Sequence, residues 1–203
     1  MSPWGLCVHT SGRGIVARAS RRGEAPIDVA LAWYRRKSGV HYVIGYDGAI
    51  YQMLDDDRRG AHVGISWLER RRYLSGSWKR HVPPRALREW QRRWPHEKSP
   101  QHLYPTKSPN GSYIGVEMIP LAHRRIASSF WFTDAQHASV ALLYKDWAAR
   151  HCWGEYHASS PRLLGHEDID AFARWDKAGG WDPGAMRQLP RFGWHVVRDI
   201  IAE

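Results

Sequence analysis

A single acid inside an apolar strand constrains this chain most. Ser112-Tyr-Ile-Gly-Val-Glu-Met-Ile119 has the β-branched and aromatic content of a strand, and Glu117 is its one charged residue. A glutamate is seldom buried unless it is paired or bound to something. The stretch therefore predicts a sheet with a polar group set into it, and the question becomes what lies beside Glu117.

Strands and helices alternate around it. Gly5-Leu-Cys-Val-His9 is a short apolar run, read as a buried strand whose last residue, His9, reaches a cleft. Ile27, Leu31 and Tyr34 are spaced by four and three, which predicts a helix from Ile27 to Lys37 with Pro26 suited to its first turn. Val40–Ile44 and Ala49–Leu54 read as two strands joined at Tyr46-Asp-Gly48, and Gly60–Gly64 as a loop or short strand. Thr133-Asp-Ala-Gln136 is a capping box. It opens a helix to about His151, with Val140, Leu143 and Trp147 on one face. Leu163–His166 reads as the next strand and Trp194–Ile201 as a closing helix. The mixture predicts one α/β domain over residues 1–203, a central mixed β-sheet flanked by α-helices.

Residues 69–110 differ in character. Eleven Lys/Arg stand there against three Glu, with Trp78, Trp90, Trp94 and six prolines. The stretch reads as an insertion with one helix around Pro84–Trp94. It is either a solvated excursion whose tryptophans pack on the body, or a basic, aromatic wall for a polyanionic or sugar ligand.

The whole chain carries 30 Lys/Arg against 20 Asp/Glu, a formal charge of +10. That balance favours nucleic acid, an anionic membrane surface or an anionic cell-wall polymer as partner. Twelve tryptophans and 43% hydrophobic residues exclude a disordered chain. Two cysteines, Cys7 and Cys152, exclude a disulfide scaffold and a cysteine-rich zinc module, and Cys7 is expected as a buried thiol. The first residues have neither a basic n-region nor a long apolar run, and no transmembrane segment is read. Synthesis in the cytoplasm without a signal peptide is the expectation.

Twelve histidines need a filter by position. His9 and His166 both end apolar, strand-like runs beside small residues, and adjacent strand ends can meet. Asp182 stands in Trp181-Asp-Pro-Gly184, where proline and glycine fix a turn. Two imidazole nitrogens, one carboxylate oxygen and an open fourth position make a catalytic zinc site. Zinc lowers the pKa of water and polarises a carbonyl, and Glu117 is the candidate base. The alternative is a surface histidine and an ordinary turn aspartate. H-E-x-x-H, Walker, G-x-G-x-x-G and G-x-S-x-G motifs are all absent, which removes several competing enzyme classes.

At these residues the chain resembles the zinc-dependent N-acetylmuramoyl-L-alanine amidases of the phage-lysozyme and peptidoglycan-recognition-protein type. Val8-His9-Thr10 resembles the strand with the family's first metal histidine. Ser38-Gly-Val-His-Tyr-Val-Ile44 and Asp47-Gly-Ala-Ile-Tyr-Gln52 resemble its second strand and hairpin, and Gly60-Ala-His62-Val-Gly a histidine loop. Ile114-Gly-Val-Glu117 resembles the strand bearing the catalytic acid. Leu164-Gly-His166-Glu-Asp-Ile and Asp182-Pro-Gly resemble the second histidine and the last ligand. The matches keep the family's order and cover most of the chain outside 69–110.

The resemblance implies a peptidoglycan-recognition-protein-like fold, zinc on His9, His166 and Asp182, and Glu117 activating water. It implies His41 and His62 along a substrate cleft, where either is equally a hydrogen-bonded wall residue. The substrate class is bacterial peptidoglycan or muropeptides, with anionic wall polymers as further partners and no stable nucleic-acid partner. Three features depart from the pattern. The span from His166 to Asp182 is long, Gly180 stands where a lysine is usual (Lys177 is the nearby candidate), and Val40 stands where some members have tyrosine. A non-catalytic recognition module of the same fold is the first alternative, and a nucleic-acid-binding protein the second. As an enzyme it suits an endolysin, a delivered wall-degrading effector or a muropeptide-recycling amidase.

Overall fold

The computed structural model describes residues 3–10, 12–37, 39–65, 67–103, 108–122, 130–155, 161–171 and 192–203. In chain order the elements are β1 (Gly5–Thr10), α1 (Gly12–Arg22), α2 (Pro26–Lys37), β2 (Tyr42–Ile44) and β3 (Ile50–Gln52). There follow α3 (Trp67–Leu74), α4 (Pro84–Arg93), β4 (Tyr113–Met118), and the short pair β5 (Leu121–Ala122) and β6 (Phe130–Trp131). The chain closes with α5 (Asp134–Arg150), β7 (Leu163–Gly165), the one-turn α6 (His166–Ile169) and α7 (Trp194–Ala202).

Five strands form one mixed sheet in the order β3-β2-β4-β1-β7. Only the β2–β3 hairpin is antiparallel; β2–β4, β4–β1 and β1–β7 run parallel. Parallel strands need both faces covered, which explains why β1 and β4 are buried along nearly their whole length. Side chains alternate between faces along each strand. Leu6 and Val8 of β1, Ile114, Val116 and Met118 of β4, and Leu163 of β7 pack under α5 and α7, against Val140, Leu143, Trp147, Trp194 and Val197.

The other face is covered in two pieces. On one side Cys7, Tyr113 and Leu164 meet an aromatic cluster of Tyr73, Trp78, Trp90 and Trp94. On the other, Val43 meets Ile15, Ala19, Val29 and Ala30 from α1 and α2. Between these two clusters the residues of opposite parity, His9 and Glu117, are polar. Each large apolar side chain so buried contributes about 1.5–3 kcal/mol.

Local chemistry sets the element ends. Thr133 Oγ1 accepts from Gln136 N–H at 3.2 Å and Gln136 Oε1 accepts from Thr133 N–H at 3.1 Å, the reciprocal cap that starts α5. At the hairpin, Gly48 has φ +84°, and Asp47 Oδ1 accepts from Ala49 N–H at 3.0 Å.

Several elements depart from the sequence expectation. The hairpin strands are three residues each, shorter than the runs that suggested them. Helix α1, and α3 within the basic stretch, had no sequence signal. The strand expected to end at His166 stops at Gly165, because Asp168 Oδ2 accepts the Gly165 N–H at 2.8 Å and turns the chain into α6. Trp78, Trp90 and Trp94 are 0%, 1% and 2% exposed, so they pack on the body, while Arg85 and Arg88 of α4 face solvent. Cys7 is buried, Cys152 is exposed and neither is disulfide-bonded. Among the described residues no helix is long and apolar enough to cross a membrane.

Candidate metal centre and active site

His9 and Glu117 are register partners on adjacent parallel strands. Such partners point to the same face with their Cα atoms about 4.8 Å apart. The pairing follows from parity: Cys7 and His9 share a face with Gly115 and Glu117. On the far side of β1, Leu164 is the partner of Cys7, and the chain leaves β7 at Gly165 to place His166 beside His9. The two imidazoles meet edge to face with centroids 4.7 Å apart. His9, Glu117 and His166 are all buried, at 3%, 6% and 1% exposure. The three come from three separate strands or strand ends.

His62 arrives on the loop after β3. Its Nε2 lies 3.0 Å from the Tyr113 carbonyl and its Nδ1 lies 3.0 Å from His9 Nε2. A carbonyl only accepts, so His62 Nε2 carries the proton, Nδ1 accepts, and His9 Nε2–H is the donor. A metal on His9 Nε2 or His62 Nδ1 would take the place of this hydrogen bond. The His62 side chain packs against Gly115, where a Cβ would fall 2.6 Å from its Cγ. Burial, then the neighbouring His9, holds the His62 imidazole well below the usual histidine range.

His41 is also fixed through both nitrogens. Nδ1 accepts from Gly115 N–H at 3.0 Å and Nε2–H donates to the Arg58 carbonyl at 2.8 Å. Burial lowers its pKa, and the contact with the Arg58 carbonyl partly offsets this. The neutral Nε2–H tautomer is therefore the one the fold uses. Asn110 completes the wall: its Oδ1 accepts from His62 N–H and Val63 N–H, and its side-chain amide donates to the Val63 carbonyl. Asp182 and Lys177 lie outside the described residues.

The donor chemistry suits zinc. His9 and His166 supply two imidazoles in contact. Cys7, His9 and His62 also offer ligand atoms that all lie within 4.8 Å of one another. Imidazole nitrogen and thiolate sulfur are donors that this ion takes.

A family model for N-acetylmuramoyl-L-alanine amidase matches residues 1–185. The chain belongs to that family. No curated protein and no solved structure matches it. The family and the mixed α/β sheet agree, and peptidoglycan is the substrate class that membership brings.

Several residues around the site carried no sequence signal of their role. The Arg93 side chain is 5% exposed, and its guanidinium meets Asp168 at 2.8 Å and Glu167 at 3.3 Å, both side chains fully buried. Trp94 Nε1–H donates to Asp168 Oδ1, Trp90 Nε1–H to the Asp168 carbonyl and Tyr73 O–H to Asp170 Oδ1. In the sequence Arg93 is one of eleven basic residues in its stretch, and nothing there pairs it with the acids after His166. Only the fold makes them partners.

Proposed function

We propose that this amidase is a zinc hydrolase that cleaves the bond between the lactyl group of N-acetylmuramic acid and the L-alanine of the stem peptide. The observation that carries it is the edge contact of His9 and His166 with Glu117 in register beside His9. His9, His166 and Asp182 would hold the metal. Zinc bound there supplies polarisation of the scissile carbonyl and a lowered pKa for water. Glu117, buried at the same sheet face, takes the proton of the attacking water and returns it to the leaving amine. Lys177 is the candidate to steady the developing oxyanion. His41 and His62 form the wall of the cleft.

A second donor set is favoured by one observation, the proximity of Cys7, His9 and His62. The two sets share His9 and differ in what else they need. Cys7→Ser leaves zinc affinity unchanged if His166 is the ligand, and His166→Ala leaves it unchanged if Cys7 is.

The enzyme acts on polymeric wall after release or delivery, as an endolysin or effector, in preference to recycling small muropeptides. Anionic wall polymers fit the exposed arginines of α4, and nucleic acid is not the partner. Replacing Arg85 and Arg88 by Ser should lower activity on intact wall more than on soluble muropeptide; equal loss on both would refute that surface. The deciding experiment for the reaction is mass spectrometry of digested peptidoglycan with and without chelator. Release of free stem peptides that stops on chelation is expected. Binding of muropeptide without turnover would identify a recognition module instead.

A further inference from the structure

We propose that Arg93 and Asp168 are positioning residues for His166, and that the basic, tryptophan-rich stretch is the holder of that histidine. The proposal rests on the zinc reading above.

His166 is the first residue of a helix of one turn. A single turn does not hold itself, because nucleation fixes several residues for one hydrogen bond. Its own return is Asp170 N–H to the His166 carbonyl at 2.9 Å. What pins the turn comes from elsewhere. Asp168 Oδ2 accepts from Gly165 N–H, the amide immediately before His166, at 2.8 Å. The same oxygen accepts from Arg93 Nη2 at 2.8 Å. Its other oxygen accepts from Trp94 Nε1–H at 3.0 Å. Trp90 Nε1–H holds the Asp168 carbonyl at 2.9 Å, and Arg93 Nη1 reaches Glu167 at 3.3 Å.

One carboxylate thus receives three donors, and the path from Arg93 to the His166 backbone is a single aspartate. The carboxylates of Glu167 and Asp168 are 0% exposed and the guanidinium 5%, so water neither screens nor replaces these contacts. The planar fork of arginine spans two carboxylates at once, which a lysine ammonium does not reproduce. Trp90 and Arg93 lie three residues apart on α4 and Trp94 is its C-cap, so all three leave the end of the helix toward α6. A surface arginine would have none of this geometry. Outer contacts of this kind typically change metal affinity by about 10–100-fold when removed.

The test measures zinc affinity by chelator competition, beside the thermal midpoint of the metal-free protein. Arg93→Met and Asp168→Asn are each expected to bind zinc about 10–100-fold more weakly than wild type. Arg93→Lys, which keeps the charge and loses the fork, recovers part of the loss. Leu143→Ala, in the core on the opposite sheet face, serves as a variant of lowered stability with unchanged zinc affinity. If Arg93→Met does not fold, Arg93→Lys and Asp168→Asn carry the comparison. Wild-type affinity in these variants, at a midpoint lowered as in Leu143→Ala, would show a merely structural clamp and overturn the proposal. No zinc binding by wild type overturns the metal reading itself, and with it this one.

Discussion

Replacing Gly115 by alanine should reposition His62 and, through it, His9. An added Cβ at Gly115 would fall 2.6 Å from His62 Cγ, 2.8 Å from Cδ2 and 3.0 Å from Cβ. Ordinary carbon contacts begin near 3.5 Å, so the ring must move by about 1 Å. The ring has no slack to give. It is held at 3.0 Å to the Tyr113 carbonyl and at 3.0 Å to His9. Overpacking of this size together with two weakened hydrogen bonds costs about 2–4 kcal/mol. For a chain of this length that is a fall in Tm of roughly 4–16 °C. The assay is a thermal melt of metal-free protein, run as a double-mutant cycle with His62→Ala. Removing the imidazole makes room for the new methyl, so Gly115→Ala should cost much less in the His62→Ala background, with a coupling of about 1–3 kcal/mol. A neutral Gly115→Ala, or additive losses in the double variant, would refute the packing of His62 on β4 described here.

Further outcomes follow from other contacts. Glu117→Gln should retain zinc and lose about 10²–10⁴-fold in turnover of soluble muropeptide, and wild-type turnover would remove Glu117 as the base. His137 Nε2 accepts from Gly193 N–H at 3.1 Å at the start of α7, and burial lowers its pKa. A folded pKa below the unfolded value of about 6.5 leaves stability flat above that pH and reduces it as pH falls toward the folded pKa. His137→Gln should therefore flatten the decline in Tm between pH 6.5 and 5, approximately, part of which remains through His41 and His62. An unaltered slope would exclude His137 as a contributor. Thr133→Ala removes the cap of α5 and the bond from its hydroxyl to the Tyr46 carbonyl, and should cost about 1–2 kcal/mol in denaturant unfolding.

The sheet was legible where both of its faces are buried. Gly5–His9, Ile114–Met118 and Leu163–Gly165 are apolar in either direction, and an apolar run of that length has few other uses. Glu117 was legible for the converse reason, as the one charge where none is expected. The cap of α5 is written in four consecutive residues and survives translation into structure almost unchanged. In the stretch from 67 to 103 the helix at Pro84–Arg93 was legible but α3 was not, and the inward residues are tryptophans whose destination depends on a distant surface. Arg93 is the sharpest case. Its burial is set by Glu167 and Asp168, far along the chain, and local patterning does not encode such partners. The same holds for His62, whose place against Gly115 depends on a strand that comes long after it.

The order of the strands bears on how the protein is made. β1 is an interior strand, yet both its partners, β4 and β7, are synthesised long after it. Leu6 and Val8 therefore wait, exposed, until Ile114, Val116 and Leu163 have been translated. Pairings this far apart in sequence close large loops before they are rewarded, so folding should be slow. While it waits, β1 offers two apolar edges to any strand nearby, the condition in which nascent chains associate wrongly. Production yield should thus respond to chaperone supply and to temperature more than the stability of the finished fold would suggest.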